Sequence, residues 1–137
     1  MWAGLPVADG SLDVLLDVFA PRNAAEFARV LSPTGVLVVA TPGTEHLAEL
    51  RATLGLLDIQ PDKHSQLTST LGEYFRAGPA APVRHRLRLD RPALHDLVAM
   101  GPNAFHLTEE QITAQVQTLP EPCDVEVAVQ VSLWSRP

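Results

Sequence analysis

An open α/β sheet is the fold class the sequence predicts, on three observations. Leu12 to Phe19 and Val36 to Thr41 are apolar with few polar interruptions, as expected of strands buried on both faces in a parallel sheet. Between them lies a helix-sized segment, and a strand, a crossover helix and a parallel strand make a right-handed βαβ unit. Later, Val83 to Leu89 and Val125 to Leu133 alternate apolar with polar residues, the pattern of strands with one solvated face. Ligands in such sheets bind beyond the carboxyl ends of the strands. Here those ends are Val18 to Arg22 and Ala40 to His46.

Each element has its own local signal. Asn23-Ala24-Ala25-Glu26 is a capping-box pattern, the Asn side chain accepting from the first turn and Glu26 reaching back. The helix it opens carries Phe27, Val30 and Leu31 on one face. Ser32-Pro33-Thr34-Gly35 is expected to end it, with Gly35 free to take a positive φ. After the second strand Thr41-Pro42-Gly43 forms the rim. Thr44 is placed to N-cap a helix that buries Leu47, Leu50 and Leu54 and holds His46 in its first turn. Leu67, Leu71, Tyr74 and Phe75 recur at helical spacing, which predicts a helix covering the sheet, while Pro61, Gly78, Pro79 and Pro82 punctuate its surroundings. In the next strand Val83, His85, Leu87 and Leu89 share one face, and Arg84, Arg86 and Arg88 the other. Asp90 caps a helix with Pro92 in its first turn, and Thr108-Glu109-Glu110-Gln111 is a second capping box. The terminal strand sets Val125, Val127, Val129, Val131 and Leu133 on one face, with Trp134 as its anchor. Paired antiparallel with the arginine strand, or inserted beside it, this strand gives the sheet a reversed edge.

Composition narrows the class. At 137 residues and 46% hydrophobic, the chain is about one domain and long enough to bury a core. The single Cys123 excludes an intrachain disulfide and fits a reducing compartment. No secretory leader pattern appears, and no apolar run approaches the roughly 18 residues of a membrane span. A soluble, cytoplasmic protein with no membrane partner is therefore expected. The five histidines and one cysteine show no Cys-x-x-Cys, His-Glu-x-x-His or i, i+4 histidine pair, so no metal site is expected. Cys123 follows a Pro-rich turn and precedes an edge strand, a poor setting for a nucleophile. The net charge of −6 opposes binding to nucleic acid through bulk electrostatics. Positive charge is local instead: four of the ten basic residues, Arg84, Arg86, Arg88 and Arg91, crowd together.

The wording of the first third is specific. Leu5-Pro6-x-x-Asp9-x-Ser11-x-Asp13, a strand ending Phe19-Ala20-Pro21, a helix ending Arg29-Val30-Leu31, and the Ser32-Pro33-Thr34-Gly35 turn resemble the second half of a class I S-adenosylmethionine (SAM) methyltransferase. Ala40-Thr41-Pro42-Gly43-Thr44-Glu45-His46-Leu47-Ala48-Glu49-Leu50 narrows the resemblance to the 23S ribosomal RNA guanine-N1 methyltransferases, whose actinobacterial members include macrolide self-resistance enzymes. The likeness is strong over residues 5–54; beyond them, Met100-Gly101-Pro102 and the closing strand also fit. It implies a partial, Rossmann-like sheet made of the later strands and helices and ending in an antiparallel edge. The Gly-rich turn and ribose-binding acid that hold SAM in this class do not occur ahead of Leu5, nor does the family's Cys-rich zinc module. Residues 1–137 are thus expected to be the carboxyl-terminal portion of a methyltransferase domain, with the SAM-loop half and zinc module absent.

Several residues are candidates for the chemistry. Asp17 lies near the rim, where a carboxylate could accept the guanine N1 proton or hold the exocyclic amine; alternatively it is a polar residue at a strand edge. Phe19-Ala20-Pro21 stands where other amino-directed members carry an Asn/Asp-Pro-Pro-aromatic motif. Pro21 stiffens that turn, and Phe19 either stacks on a flipped base or ends a buried strand as a core aromatic. Resemblance implies that His46, in Gly-x-x-His-Leu, touches the cofactor, and Leu5, Ala20 and Gly43 are assigned to the same side. Arg84, Arg86 and Arg88 form either a phosphate-binding stripe or a solvated strand face. The family's Met-small-Pro loop faces substrate, which makes Asn103, Phe105 and His106 candidates for contact with the guanine, or ordinary loop residues. SAM is the implied cofactor and 23S rRNA the implied substrate. Two other functions stay open: a non-catalytic remnant, dimerising to cover exposed sheet edge, and a small-metabolite methyltransferase, which the acidic charge favours.

Overall fold

The computed structural model describes residues 4–55, 63–101 and 106–137. Among them the chain forms β1 (Leu12–Val18), α1 (Ala24–Val30), β2 (Leu31–Pro42), α2 (Ala48–Leu54), α3 (Lys63–Leu71), β3 (Arg76–Leu89), α4 (Arg91–Ala99), α5 (Glu109–Gln117) and β4 (Cys123–Ser135). The sheet has the strand order β1-β2-β4-β3. β1 and β2 run parallel, with Leu15 opposite Leu37 and Asp17 opposite Val39, and β2 runs antiparallel to β4, with Leu37 opposite Trp134. The two early apolar segments are therefore neighbouring co-directional strands. The terminal strand is inserted between β2 and β3 and reverses the direction of the sheet there.

The chain divides into two compact units, one of Met1–Gly43, Gln60–Val83 and Val129–Pro137, the other of Thr44–Ile59 and Arg84–Ala128. Each has its own apolar core. In the first, Phe27 and Ala28 of α1, Leu31, Leu37 and Val39 of β2, Leu67 and Leu71 of α3, Phe75 and Trp134 pack together, with Leu5, Leu12 and Leu15 against them. In the second, Leu50 of α2, Leu94 and Val98 of α4, Ile112 and Val116 of α5, and Cys123 and Val125 of β4 do the same.

In the first unit Asn23 caps α1, its Oδ1 accepting from the Glu26 amide at 3.2 Å. Glu26 does not reach back to complete the box. Its Oε1 accepts instead from the Leu5 amide at 2.6 Å, and both of its oxygens take the Arg29 guanidinium. Arg29 also donates to the carbonyls of Val7 and Leu5 and pairs with Asp9, and its own carbonyl accepts from the Gly10 amide. One arginine thus gathers the whole Leu5-to-Gly10 segment onto α1. The hydrogen bond with Arg29 holds the Glu26 carboxyl below its usual range, as expected for a carboxylate accepting charge-assisted donors.

Three expectations change here. Gly35 belongs to β2 and does not take a positive φ. It is needed for space, because a Cβ would stand 2.9 Å from Leu31 Cδ2 and 3.0 Å from the Leu12 carbonyl oxygen. The helical spacing through Phe75 ends early: α3 stops at Leu71, the chain turns at Gly72, and Phe75 reaches the core from outside the helix while Tyr74 is exposed. The alternation of β4 also shifts phase. Val125 is buried as expected, but further along Ala128, Ser132 and Trp134 are buried and Leu133 is exposed. Trp134 has the largest apolar surface in that stretch, and burying it sets the parity of its neighbours.

In the second unit the predicted caps form. Asp90 Oδ1 accepts from the Ala93 amide at 3.0 Å with Pro92 in the first turn, and Thr108 and Gln111 exchange both bonds of a capping box. Thr44 is not an N-cap. Residues 44–47 form a turn, and α2 begins after Leu47, whose φ is 52°.

The candidate active-site rim

In the first unit the carboxyl ends of β1 and β2 lie side by side. The parallel ladder continues past β1, the Phe19 amide donating to the Ala40 carbonyl at 3.1 Å. Phe19-Ala20-Pro21 and Thr41-Pro42-Gly43 thus both stand where an open α/β sheet binds ligands. Asp17 comes two residues before this rim. It is 3% exposed, and neither carboxylate oxygen accepts a hydrogen bond from any described residue. Burial pushes its carboxyl above the usual range, offset in part by the Arg22 charge and the nearby Ala20 backbone amide. A carboxylate so weakly partnered is costly to bury, and raised carboxyl pKa values gather at functional sites.

Phe19 has a φ of 52°, a left-handed conformation disfavoured for a bulky residue, and the residue is about half exposed. The alternative of a core aromatic does not hold. Pro21 is exposed, Ala20 and Gly43 are half-buried, and Leu5 packs on the first core with its backbone held by Glu26 and Arg29. Asp9 and Ser11 of the opening motif have structural partners too, Asp9 on Arg29 and Ser11 Oγ on the Ala8 carbonyl at 2.7 Å.

In the second unit His46 lies in the turn that precedes α2, not in its first helical turn. Its Nδ1 accepts from the Ala128 amide at 3.1 Å, so in the neutral ring the proton belongs to Nε2. Arg51 holds the turn from α2, donating to the His46 carbonyl at 2.8 Å and the Thr44 carbonyl at 2.7 Å. The Leu47 amide donates to the Glu126 carbonyl at 2.8 Å. Burial, and then the Arg51 charge, lower the pKa of His46. Sequence reasoning missed Arg51; its signal was a lone cation one helical turn beyond Leu47.

The sign of the histidine effect follows from that shift. With the folded pKa below the unfolded value, the unfolded chain protonates first as pH falls, so stability is full above about 6.5 and is lost below it, down to the folded pKa. His46→Asn, whose side-chain oxygen can accept from Ala128, is expected to leave the urea midpoint at pH 7.5 nearly unchanged. It should also remove this residue's share of the loss between pH 6.5 and 5. A variant that loses stability as steeply as the parent over that interval would contradict the assignment.

The arginine stripe is unequal. Arg84 donates to Glu45 at 2.5 Å and reaches Glu126 at 3.5 Å, so two carboxylates already engage it. Arg88 lies 3.7 Å from Asp124. Arg86 and His106 are exposed, while Asn103 and Phe105 lie outside the described residues. Among the described residues no group of three or more His, Cys, Asp or Glu side chains could hold a metal ion, and no helix is long and apolar enough to cross a membrane.

No family model matches the chain. It is 45% identical over 97% of its length to a Micromonospora griseorubida protein provisionally named a 23S rRNA (guanine-N1)-methyltransferase. It is 40% identical over 94% of its length to the Streptomyces fradiae 23S rRNA (guanine(748)-N1)-methyltransferase. A Bacillus subtilis protein, provisionally named for the same activity, is 30% identical over 97% of the chain. These matches cover 45%, 46% and 49% of the relatives, so the chain spans about half the length of the curated relatives it matches. Among solved structures, a Bacillus halodurans protein provisionally described as a methyltransferase aligns with a TM-score of 0.53 at 12% identity, covering 97% of this chain and 68% of that one. An Anaeromyxobacter dehalogenans protein provisionally described as a type II methyltransferase aligns with a TM-score of 0.51 at 16% identity, covering 95% and 66%. The fold is thus part of a class I methyltransferase sheet. Along nearly its whole length the chain is similar to proteins named 23S rRNA (guanine-N1)-methyltransferases, and it spans about half of their length.

Proposed function

We propose that this chain is the carboxyl-terminal half of a SAM-dependent methyltransferase acting on N1 of a guanine in 23S rRNA. The observation that carries the reading is the 45% identity over 97% of the chain to a relative provisionally named for that activity. The rim suits the reactive end of the cofactor in part: Ala20 and Gly43, with minimal side chains, leave backbone approachable at two adjacent strand ends. Leu5 and, on the family resemblance alone, His46 are the other residues assigned to it. When bound, SAM supplies a methyl group carried on a sulfonium.

Asp17 would take the proton that N1 must lose when SAM, once bound, gives up its methyl group. Its buried, unpartnered carboxyl is the stronger base for being desolvated. Phe19 stacks on the guanine and Pro21 holds that turn rigid. Arg86, Arg88 and His106 contact the RNA, to which the family resemblance also assigns Asn103 and Phe105, whereas Arg84, engaged by Glu45 and Glu126, chiefly supports the turn at His46. On this reading the protein acts in the cytoplasm, where its rRNA substrate is found. The acidic net charge of −6 favours the rival reading, a small-metabolite substrate.

One experiment separates them. The half of the Micromonospora griseorubida relative that this chain does not match is joined to it in a single polypeptide, in the relative's own order. The fusion is given labelled SAM with unmodified 23S rRNA or with guanosine. Labelled rRNA, with a reverse-transcription stop at one guanine, is the expected result, because N1 methylation blocks pairing. Labelling of the nucleoside alone, or of neither, would overturn the proposal.

A further inference from the structure

Of the half-buried arginines among the described residues, all but one are engaged. Arg29 and Arg91 meet carboxylates, and Arg51 donates to two backbone carbonyls. Arg22 is half-buried as well, yet among the described residues it makes no hydrogen bond and no ion pair. A cation drawn partly out of water without a mate is costly. Its place in the chain is specific: it follows Phe19-Ala20-Pro21 at the carboxyl end of β1 and precedes Asn23, the N-cap of α1. Asp17 lies five residues back, 3% exposed, and neither of its oxygens meets hydrogen-bond geometry with a described residue. The charge of Arg22 is felt there. The rim of the first unit thus holds a guanidinium and a carboxyl group that interact through space and are not joined to one another.

We propose that Arg22 is a further catalytic residue, whose guanidinium binds O6 of the substrate guanine and holds the negative charge that reaches O6 when N1 loses its proton. The inference rests on the reading of this chain as part of a guanine-N1 methyltransferase. Guanine offers the acceptor O6 beside the donor N1–H on one edge. The proton passes from N1 to an oxygen of Asp17, its bonding pair stays on the ring and is shared between N1 and O6, and Arg22 remains protonated throughout. A fixed cation at the oxygen where charge develops lowers the barrier to that step, and the fork of an arginine is well matched to O6 and N7 of guanine. The same two groups select the base. Adenine has an amino donor in place of O6 and a bare nitrogen in place of N1–H, so it would set donor against donor and acceptor against acceptor.

The test uses the single-chain fusion with labelled SAM and unmodified 23S rRNA. Arg22→Met is expected to lower the single-turnover rate at saturating rRNA about 10²-fold at pH 7, while half-saturation by rRNA changes little. The pH at which the rate levels off should rise by about one unit or more, because N1 is then a weaker acid in the site. Arg22→Lys, which keeps the charge, should recover part of both effects. An unchanged rate, or a slower Met variant with an unchanged pH profile, would overturn the proposal. A second measurement needs no turnover: the 137-residue chain is titrated with guanosine 5′-monophosphate and, separately, adenosine 5′-monophosphate, and the Arg22 Nε–H resonance is followed by NMR. A shift with the guanine nucleotide alone is expected. No shift, or equal shifts with both, which would mark a phosphate contact, would refute the assignment. A parent fusion that leaves rRNA unlabelled would sink the proposed activity, and the titration would still decide the guanine contact.

Discussion

Asp17→Asn is expected to lower methyl transfer to rRNA by the single-chain fusion about 10²- to 10⁴-fold, the range for loss of a positioned general base, while stabilising the protein. The two effects share a cause, since neither carboxylate oxygen meets hydrogen-bond geometry with a described residue, and burial raises its pKa further than the Arg22 charge and the Ala20 amide lower it. When the folded pKa exceeds the unfolded value of about 3.9, the unfolded state loses its proton first as pH climbs. Stability therefore falls from about pH 4 up through the folded pKa, and the penalty is complete above it. The amide, which never ionises, should be more stable than the parent at pH 8 and close to it at pH 3.5. Urea melts at the two pH values check the stability, and single-turnover kinetics the rate. A variant with unchanged turnover would remove Asp17 from proton transfer.

Trp134→Ala should have the largest effect on stability. The indole is 1% exposed and packs against the core shared by α1, β2 and α3, and its Nε1 donates to Ser132 Oγ at 2.9 Å. Truncating a buried aromatic of this size costs about 3–5 kcal/mol, a large part of the roughly 5–15 kcal/mol that holds an ordinary domain. Trp134→Phe keeps most of the packing and forfeits the hydrogen bond, for a smaller loss of about 1–2 kcal/mol. Circular-dichroism melts should rank parent, Phe and Ala in that order. An alanine variant melting within a few degrees of the parent would mean that Trp134 does not anchor the first core.

The elements most legible in the sequence were those specified by short-range chemistry. The caps at Asn23, Asp90 and Thr108 follow from one side chain and an amide three residues on, and the pairing of β1 with β2 follows from two apolar runs and one crossover. What escaped depends on partners distant in sequence. Glu26 has the spacing of a capping box, yet it turns to the Arg29 guanidinium, a charged donor, and to the Leu5 amide that arrives beside it. The phase of β4 could not be read from its alternating valines, because Trp134 lies outside their period. At the candidate site, the position of Asp17 near the rim was legible, but the lack of a hydrogen-bond partner was not. The arginines read as a uniform stripe until Glu45 and Glu126 were found beside Arg84.

The left-handed backbone at Phe19 separates two demands on one residue. For chain geometry alone, glycine or asparagine would serve better there, since neither suffers the crowding a large side chain meets at positive φ. A bulky residue held in that conformation carries a backbone cost that the surrounding sheet has to sustain.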